Sequence, residues 1–342
     1  MVRMHCIVNP ASRDHSSGKR WKQLRPILES KGIEVIEHMT SAPGHASKIA
    51  WKLREEFSDG LIVAVGGDGT VHEVASALRC SNITLGIVPF GSGNDCARTH
   101  EIPLKDLEGM ADVLINGKDR SCAAWRLEGY PAVSEKNFPS PTNNPWDGKP
   151  ENDECVVRWV FLESDAGITS AVSRAKLRRA KWIRGTMKYT YLGITTIPFW
   201  PRRKVEITLD GNQPRIVDLT VLAATVGETF GGGYRVCPGV TPFDKHGSIV
   251  LAGRLSRLKM LRLMGPIHKG KHIGIWGIEQ LKADRVEIKP VDKQGNVCNF
   301  PVGKPTWVQA DGEPLITAPA TLEWHRNQII IRGATKVEWD SE

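Results

Sequence analysis

The segment LIVAVGGDGTVHEVASAL, residues 61–78, constrains this chain more than any other. Leu61 to Val65 are apolar without a break, as in a strand buried on both faces. Gly66-Gly67-Asp68-Gly69-Thr70 follows at once, and a helical pattern runs from about Thr70 to Leu78. Strand, glycine turn and helix in direct succession are the repeating unit of a parallel α/β sheet, whose ligands bind at the carboxyl ends of the strands. Glycines allow positive φ and leave no Cβ between backbone amides and a ligand. Amides at a helix N-terminus, at the positive end of its dipole, suit phosphate. Asp68 is the odd member of the loop. A carboxylate beside phosphate is repelled unless a cation lies between them, which points to Mg²⁺.

The same pattern recurs nearby. Strand-like runs at 4–8, 33–38 and 84–88 alternate with helical patterns at 19–30 and 46–57. The run at 84–88 leads into Pro89-Phe90-Gly91-Ser92-Gly93-Asn94-Asp95, a second glycine loop at a helix start. Asn9-Pro10-Ala11-Ser12 closes the first strand and Thr40 the second. Four strand ends thus present small hydrogen-bonding residues. The N-terminal part reads as an α/β domain built on a doubly wound parallel sheet.

With 342 residues the chain is long enough for about two domains. Its texture changes after about residue 120. Residues 128–154 hold five prolines among Asn, Ser and Asp and read as a long mobile insertion. Beyond it, runs at 156–163, 204–210, 217–226, 247–253, 285–291 and 328–333 are punctuated by Gly, Pro and Asn. That pattern predicts a β-rich second domain, an antiparallel sandwich or barrel-like fold. The expected boundaries are 1–121, joined by 326–342, for the first domain and 122–325 for the second.

The seven cysteines form no CxxC and suit a reducing compartment. The expectation is a cytoplasmic protein, since neither a signal peptide nor an apolar stretch of spanning length is seen. Net charge is +8, unevenly spread: 174–204 carries ten Lys/Arg and 254–272 six, with no Asp or Glu in either. Trp182, Phe199, Trp200, Leu255, Leu258 and Leu261 are interleaved with these cations. Basic amphipathic segments with Trp predict peripheral binding to an anionic membrane surface. No nucleic-acid-binding module is recognisable.

These motifs, in order and approximate spacing, resemble the diacylglycerol kinase catalytic-domain family, which includes sphingosine and ceramide kinases and bacterial lipid kinases. The matching residues are Asn9-Pro10, Thr40 with Gly44-His45-Ala46, Gly66 to Thr70 with Glu73, and Pro89 to Asp95. Further on come Gly231-Gly232-Gly233, Cys237-Pro238 and Asp311-Gly312-Glu313. The resemblance implies transfer of the ATP γ-phosphoryl group to a lipid hydroxyl. It implies an ATP site made of Asn9, Pro10, Ser12, Thr40, Gly66, Gly67, Asp68, Gly69, Thr70, Glu73, Gly91, Ser92, Gly93, Asn94 and Asp95. Asp311 would be the general base with Glu313 beside it, and Asp68 would act through Mg²⁺ or its water. Residues alone read Asp311-Gly312 as a hairpin turn. The chain departs from the family at TPFDKHGSIV (241–250), where only Asp244 remains as a metal-ligand candidate, and at FLESDAGITSAV (161–172), which faces the acceptor in relatives. The expected partners are ATP, a lipid substrate and an anionic membrane surface, with a homodimer as a further option. The alternatives are a NAD kinase-like enzyme on the same scaffold and a non-catalytic nucleotide- or lipid-binding relative.

Overall fold

The computed structural model describes residues 2–12, 16–132, 141–178 and 187–335. The chain divides into two units. One comprises 1–123, 241–243 and 326–342, the other 124–240 and 244–325.

In the first unit, β1 (Val2–Val8), α1 (Ser17–Ser30), β2 (Ile33–Met39), α2 (His45–Glu56), β3 (Asp59–Gly66), α3 (Asp68–Leu78), β4 (Asn82–Pro89), α4 (Asp95–Thr99) and α5 (Leu107–Asn116) follow in turn. The sheet is parallel in the order β2-β1-β3-β4, and Ile330 and Ile331 add a further parallel strand beside Thr84 and Leu85 of β4. Strand residues alternate between faces. Cys6, Val8, Val63, Val65 and Val88 pack with Trp21, Leu24 and Leu28 of α1 and Met110 and Leu114 of α5. Ile7, Ile62, Ala64 and Ile87, also buried, point to the other face, where α2 and α3 lie together. This is the doubly wound α/β sheet that the sequence predicts, with β1 beside both β2 and β3.

The second unit is antiparallel. It begins within β5 (Lys118–Pro131) and continues through β6 (Val156–Val160), β7 (Glu163–Gly167), α6 (Ile168–Arg178), α7 (Met187–Thr196), β8 (Arg203–Leu209), β9 (Arg215–Leu219) and β10 (Val221–Thr225). The short pair β11 (Thr229–Phe230) and β12 (Tyr234–Arg235) precedes β13 (Ser248–Ala252), α8 (Arg257–His268), β14 (Ile278–Lys282), β15 (Arg285–Pro290), β16 (Trp307–Ala310) and β17 (Glu313–Gly333). The order is β14-β13-β10-β7-β16-β17, with β15, β8 and β9 branching from β17 and β6 from β5.

Three expected strands differ. The run 156–163 is two strands, because the amides at 161–163 turn to a side chain, Asp311, instead of a neighbouring strand. The run 217–226 breaks at Thr220, whose carbonyl accepts from Ile168 N at 2.9 Å and whose hydroxyl accepts from Leu255 N at 3.1 Å. The run 328–333 is the end of a strand of 21 residues.

The insertion at 128–154 is anchored where it is described. Asp147 is buried and paired with Arg158 at 3.0 Å, its carbonyl accepts from Trp159 Nε1 at 3.0 Å, and Glu128 accepts from the amides of Glu151 and Asn152. Residues 133–140 lie outside the described residues, as do 179–186 of the basic segment with Trp182.

Candidate active site

In the first unit, three strand ends converge. The Asn9 amide donates from Nδ2 to Thr70 Oγ1 at 3.0 Å, while its Oδ1 accepts from Ala11 N at 3.1 Å. Asn9 therefore ties the end of β1 to the start of α3. Ser12 lies next to Gly66, where an added Cβ would stand 3.1 Å from Ser12 Oγ. Pro10 sits between these two contacts, packed toward Gly18. Thr40 closes β2, its amide bonded to Val8 O at 2.9 Å.

The two glycine loops pack on each other. A Cβ on Gly67 would come within 3.1 Å of Gly91 Cα, and one on Gly93 within 2.7 Å of Asp68 Oδ2. None of Gly66, Gly67, Gly69, Gly91 or Gly93 has positive φ. The sequence-based reason for these glycines is thus corrected. At Gly66, Gly67, Gly91 and Gly93 the space of the missing Cβ is filled by the protein itself, so glycine serves loop-on-loop packing. Gly69 is the exception: it is exposed and a Cβ there meets nothing within 4 Å. It stands in the first turn of α3, where backbone N–H groups precede the first intrahelical bonds and suit an anion.

The carboxylates at these loops are fasteners. Asp68 Oδ2 accepts from Asn94 N at 2.7 Å and Oδ1 from Cys96 N at 3.1 Å, which fixes the start of α4 against α3. Asn94 adopts left-handed φ of 59°, and its side chain brackets Gly91, accepting from its N at 2.8 Å and donating to its O at 3.1 Å. Asp95 is buried and paired with Arg98 at 2.9 Å. Glu73 accepts from Gly44 N and Ala46 N, both at 3.0 Å, and so caps α2. Arg98 also donates to Gly93 O, a role with no signal in the local sequence. Between two buried glycines, Ser92 is exposed.

In the second unit, Asp311 and Gly312 form the two-residue hairpin between β16 and β17, with φ of 47° and 87°. The hairpin reading of this dipeptide holds, since such a turn needs positive φ twice. The Asp311 carboxylate accepts from Leu162 N at 2.9 Å and Glu163 N at 3.0 Å through Oδ1, and from Phe161 N at 3.0 Å through Oδ2. Glu313 is exposed beside it.

Behind the turn lies a buried acidic pair that the sequence motifs do not reveal. Glu163 and Asp165 share a face of β7, and Gln309 Nε2 bridges them at 3.1 and 2.6 Å. Gln309 Oε1 accepts from Gly312 N. Burial pushes the Asp165 carboxyl up to about 7, against the opposing hydrogen bonds of Gln309 and Thr169.

Asp244, the metal-ligand candidate, is paired with Lys282 at 2.5 Å, and His246 bonds Asp284 at 2.8 Å. Among the described residues no cluster of three or more His, Cys, Asp or Glu could cage a metal alone. The donor set of the first unit nevertheless fits Mg²⁺ carried on phosphates, because this ion keeps its waters and needs only one or two protein carboxylates. Asp68 is the carboxylate at that loop.

Residues 3–126 match the diacylglycerol kinase catalytic domain, and residues 164–331 match the YegS C-terminal NAD kinase beta sandwich-like domain. A diacylglycerol kinase of Staphylococcus aureus (strain bovine RF122 / ET3-1) is 32% identical over 300 residues, covering 86% of this chain and 85% of that protein. One from Mycobacterium tuberculosis (strain CDC 1551 / Oshkosh) is 25% identical over 283 residues, covering 83% and 84%. The fold matches the crystal structure of a diacylglycerol kinase from Bacillus anthracis str. Sterne with a TM-score of 0.64 at 16% identity, over 97% of this chain and 96% of that one.

Proposed function

We propose that this chain, which belongs to the diacylglycerol kinase family and is an ATP-dependent lipid kinase, phosphorylates a primary hydroxyl of a diacylglycerol-like or sphingoid-like lipid at an anionic membrane surface. The observation that carries the reading is the fastening of the two glycine loops around Asp68. Asn9, Asp68 and Asn94 hold the loop backbones rigid, leaving Gly69, Ser92 and the first amides of α3 to receive phosphate oxygens. Bound Mg²⁺ would supply charge neutralisation on the transferring group.

In the second unit, Asp311 is the proposed base. Its three amide bonds fix the carboxylate in one orientation, and Oδ2 accepts one amide against two at Oδ1. The carboxylate so oriented is assigned to take the acceptor's hydroxyl proton. Gln309 braces the turn from behind through Gly312.

The surface of the second unit supports membrane association. Phe199 is 84% exposed, Leu258 56% and Ile194 48%. On α8, Leu258, Leu261 and Arg262 share the exposed face, while Met260 and Leu263 face the core. Trp200 and Leu255, expected at the surface, are buried instead. No helix among the described residues is long and apolar enough to cross a membrane.

Incubating the protein with ATP, Mg²⁺ and separate acceptors tests the reading. Phosphate should appear on a lipid alcohol in anionic vesicles. Efficient phosphorylation of NAD⁺ with none on any lipid would overturn it.

A further inference from the structure

A second cationic site lies within the β-rich unit. A cavity of about 270 Å³ opens between the start of α6, the start of β8 and the 304–307 segment before β16. Arg174, Arg203 and Lys304 line it, together with Trp200, Trp307 and Thr306, and no carboxylate does. Arg174 stacks its guanidinium on Trp307 at 3.8 Å from the ring centroid, which fixes the plane of the fork. Arg203 spends Nη1 on Arg202 O at 3.0 Å, while its buried Nε has no hydrogen-bond partner. Among the described residues no carboxylate is within ion-pair distance of Arg203 or Lys304.

Arg203 and Lys304 thus line the cavity with no carboxylate beside them, and a buried guanidinium N–H left without a partner is costly unless a bound group accepts from it. Burial holds the guanidinium groups of Arg174 and Arg203 below the usual arginine range. Two planar guanidinium groups with a nearby ammonium and a hydroxyl match the tetrahedral oxygens of phosphate better than a single flat carboxylate. The indoles of Trp200 and Trp307 offer apolar walls to whatever carbon skeleton bears that phosphate.

We propose that this cavity binds a phosphate ester, with Arg174, Arg203 and Lys304 as its ligands. The same chemistry is carried by a phospholipid headgroup and by a soluble phosphorylated metabolite. The inference does not rest on the lipid kinase reading, because it can be tested with no nucleotide or acceptor present.

Two binding measurements on the full chain separate the sources. One titrates glycerol 3-phosphate by calorimetry. The other follows co-flotation with phosphatidylcholine vesicles containing phosphatidylglycerol. The variants are Arg203→Ala and Lys304→Ala, the latter at an exposed position that leaves the core untouched. Lys293→Ala, which removes one exposed cation outside both basic segments, is the control for net charge. We expect both cavity variants to weaken binding tenfold or more while the control changes it less than threefold. Loss in the calorimetric arm assigns a soluble phosphate ester. Loss in the vesicle arm alone assigns a lipid headgroup. Binding in neither arm, or cavity variants that match the control, would overturn the proposal.

Discussion

Gly91 lies so close to Gly67 that a Cβ built on it would stand 2.3 Å from the Gly67 Cα. The two phosphate-loop candidates are therefore a single packed unit, and the tolerance of one is set by the other. Gly91→Ala must push backbone away from backbone, with no flexible side chain to yield. We expect a loss of about 1–3 kcal/mol in stability and a raised KM for ATP. Thermal melting and nucleotide titration check both. An unchanged KM would show that loop packing does not shape the nucleotide site.

Asp68 joins two roles, holding the amides of Asn94 and Cys96 and, in the proposed mechanism, facing the metal. Asp68→Asn keeps one acceptor and removes the charge. Activity should fall by about 10²-fold or more, with the Mg²⁺ dependence moved to higher concentration. Asp68→Ala also orphans two amides and should cost a further ~1–3 kcal/mol of stability. If Asp68→Asn lost stability but kept its turnover and Mg²⁺ profile, the residue would be a fastener only.

The buried Asp165 carboxyl, raised to about 7, makes a signed prediction for stability against pH. The folded state holds this proton where the unfolded chain has already released it, between about pH 4 and pH 7. This group's contribution is thus greatest at the acid end of that window and is lost as pH rises through it. Asp165→Asn mimics the protonated form and retains an acceptor for Gln309. We expect it to melt higher than the wild type at pH 8 and to flatten the pH profile. A wild-type profile that the substitution leaves unaltered would remove Asp165 as its source.

Asp147 and Arg158 form a buried ion pair inside a stretch whose composition reads as loop. Breaking it leaves an uncompensated charge, so Asp147→Ala should destabilise by about 3–5 kcal/mol. Urea unfolding gives the value, and limited proteolysis should show faster cleavage at 141–155.

What the sequence makes legible is local. Continuous apolar runs such as Leu61–Val65 and the glycine loops after them place the parallel sheet and its loops, because strand, turn and helix signals there lie within a few residues of one another. What it hides depends on distance. Asp311 meets the amides of 161–163 across about 150 residues, so nothing near Phe161 warns that the strand stops there. Asp147 looks like one more loop carboxylate until the fold brings Arg158 to it. The loop glycines are visible as glycines, but their reason, the approach of Gly67 to Gly91, is tertiary. Glu163 and Asp165 look like an eroded motif in sequence and prove to be a bridged, buried pair.

The most direct measurement is transfer of radiolabelled γ-phosphate from ATP to a mixed lipid extract with Mg²⁺, for the wild type, Asp68→Ala and Asp311→Asn, with ATP binding measured in parallel. The account predicts one labelled lipid class for the wild type. It predicts no label for either variant and near-normal ATP binding by Asp311→Asn. Normal turnover by Asp311→Asn, or ATP binding by the wild type with no lipid labelled, would contradict it.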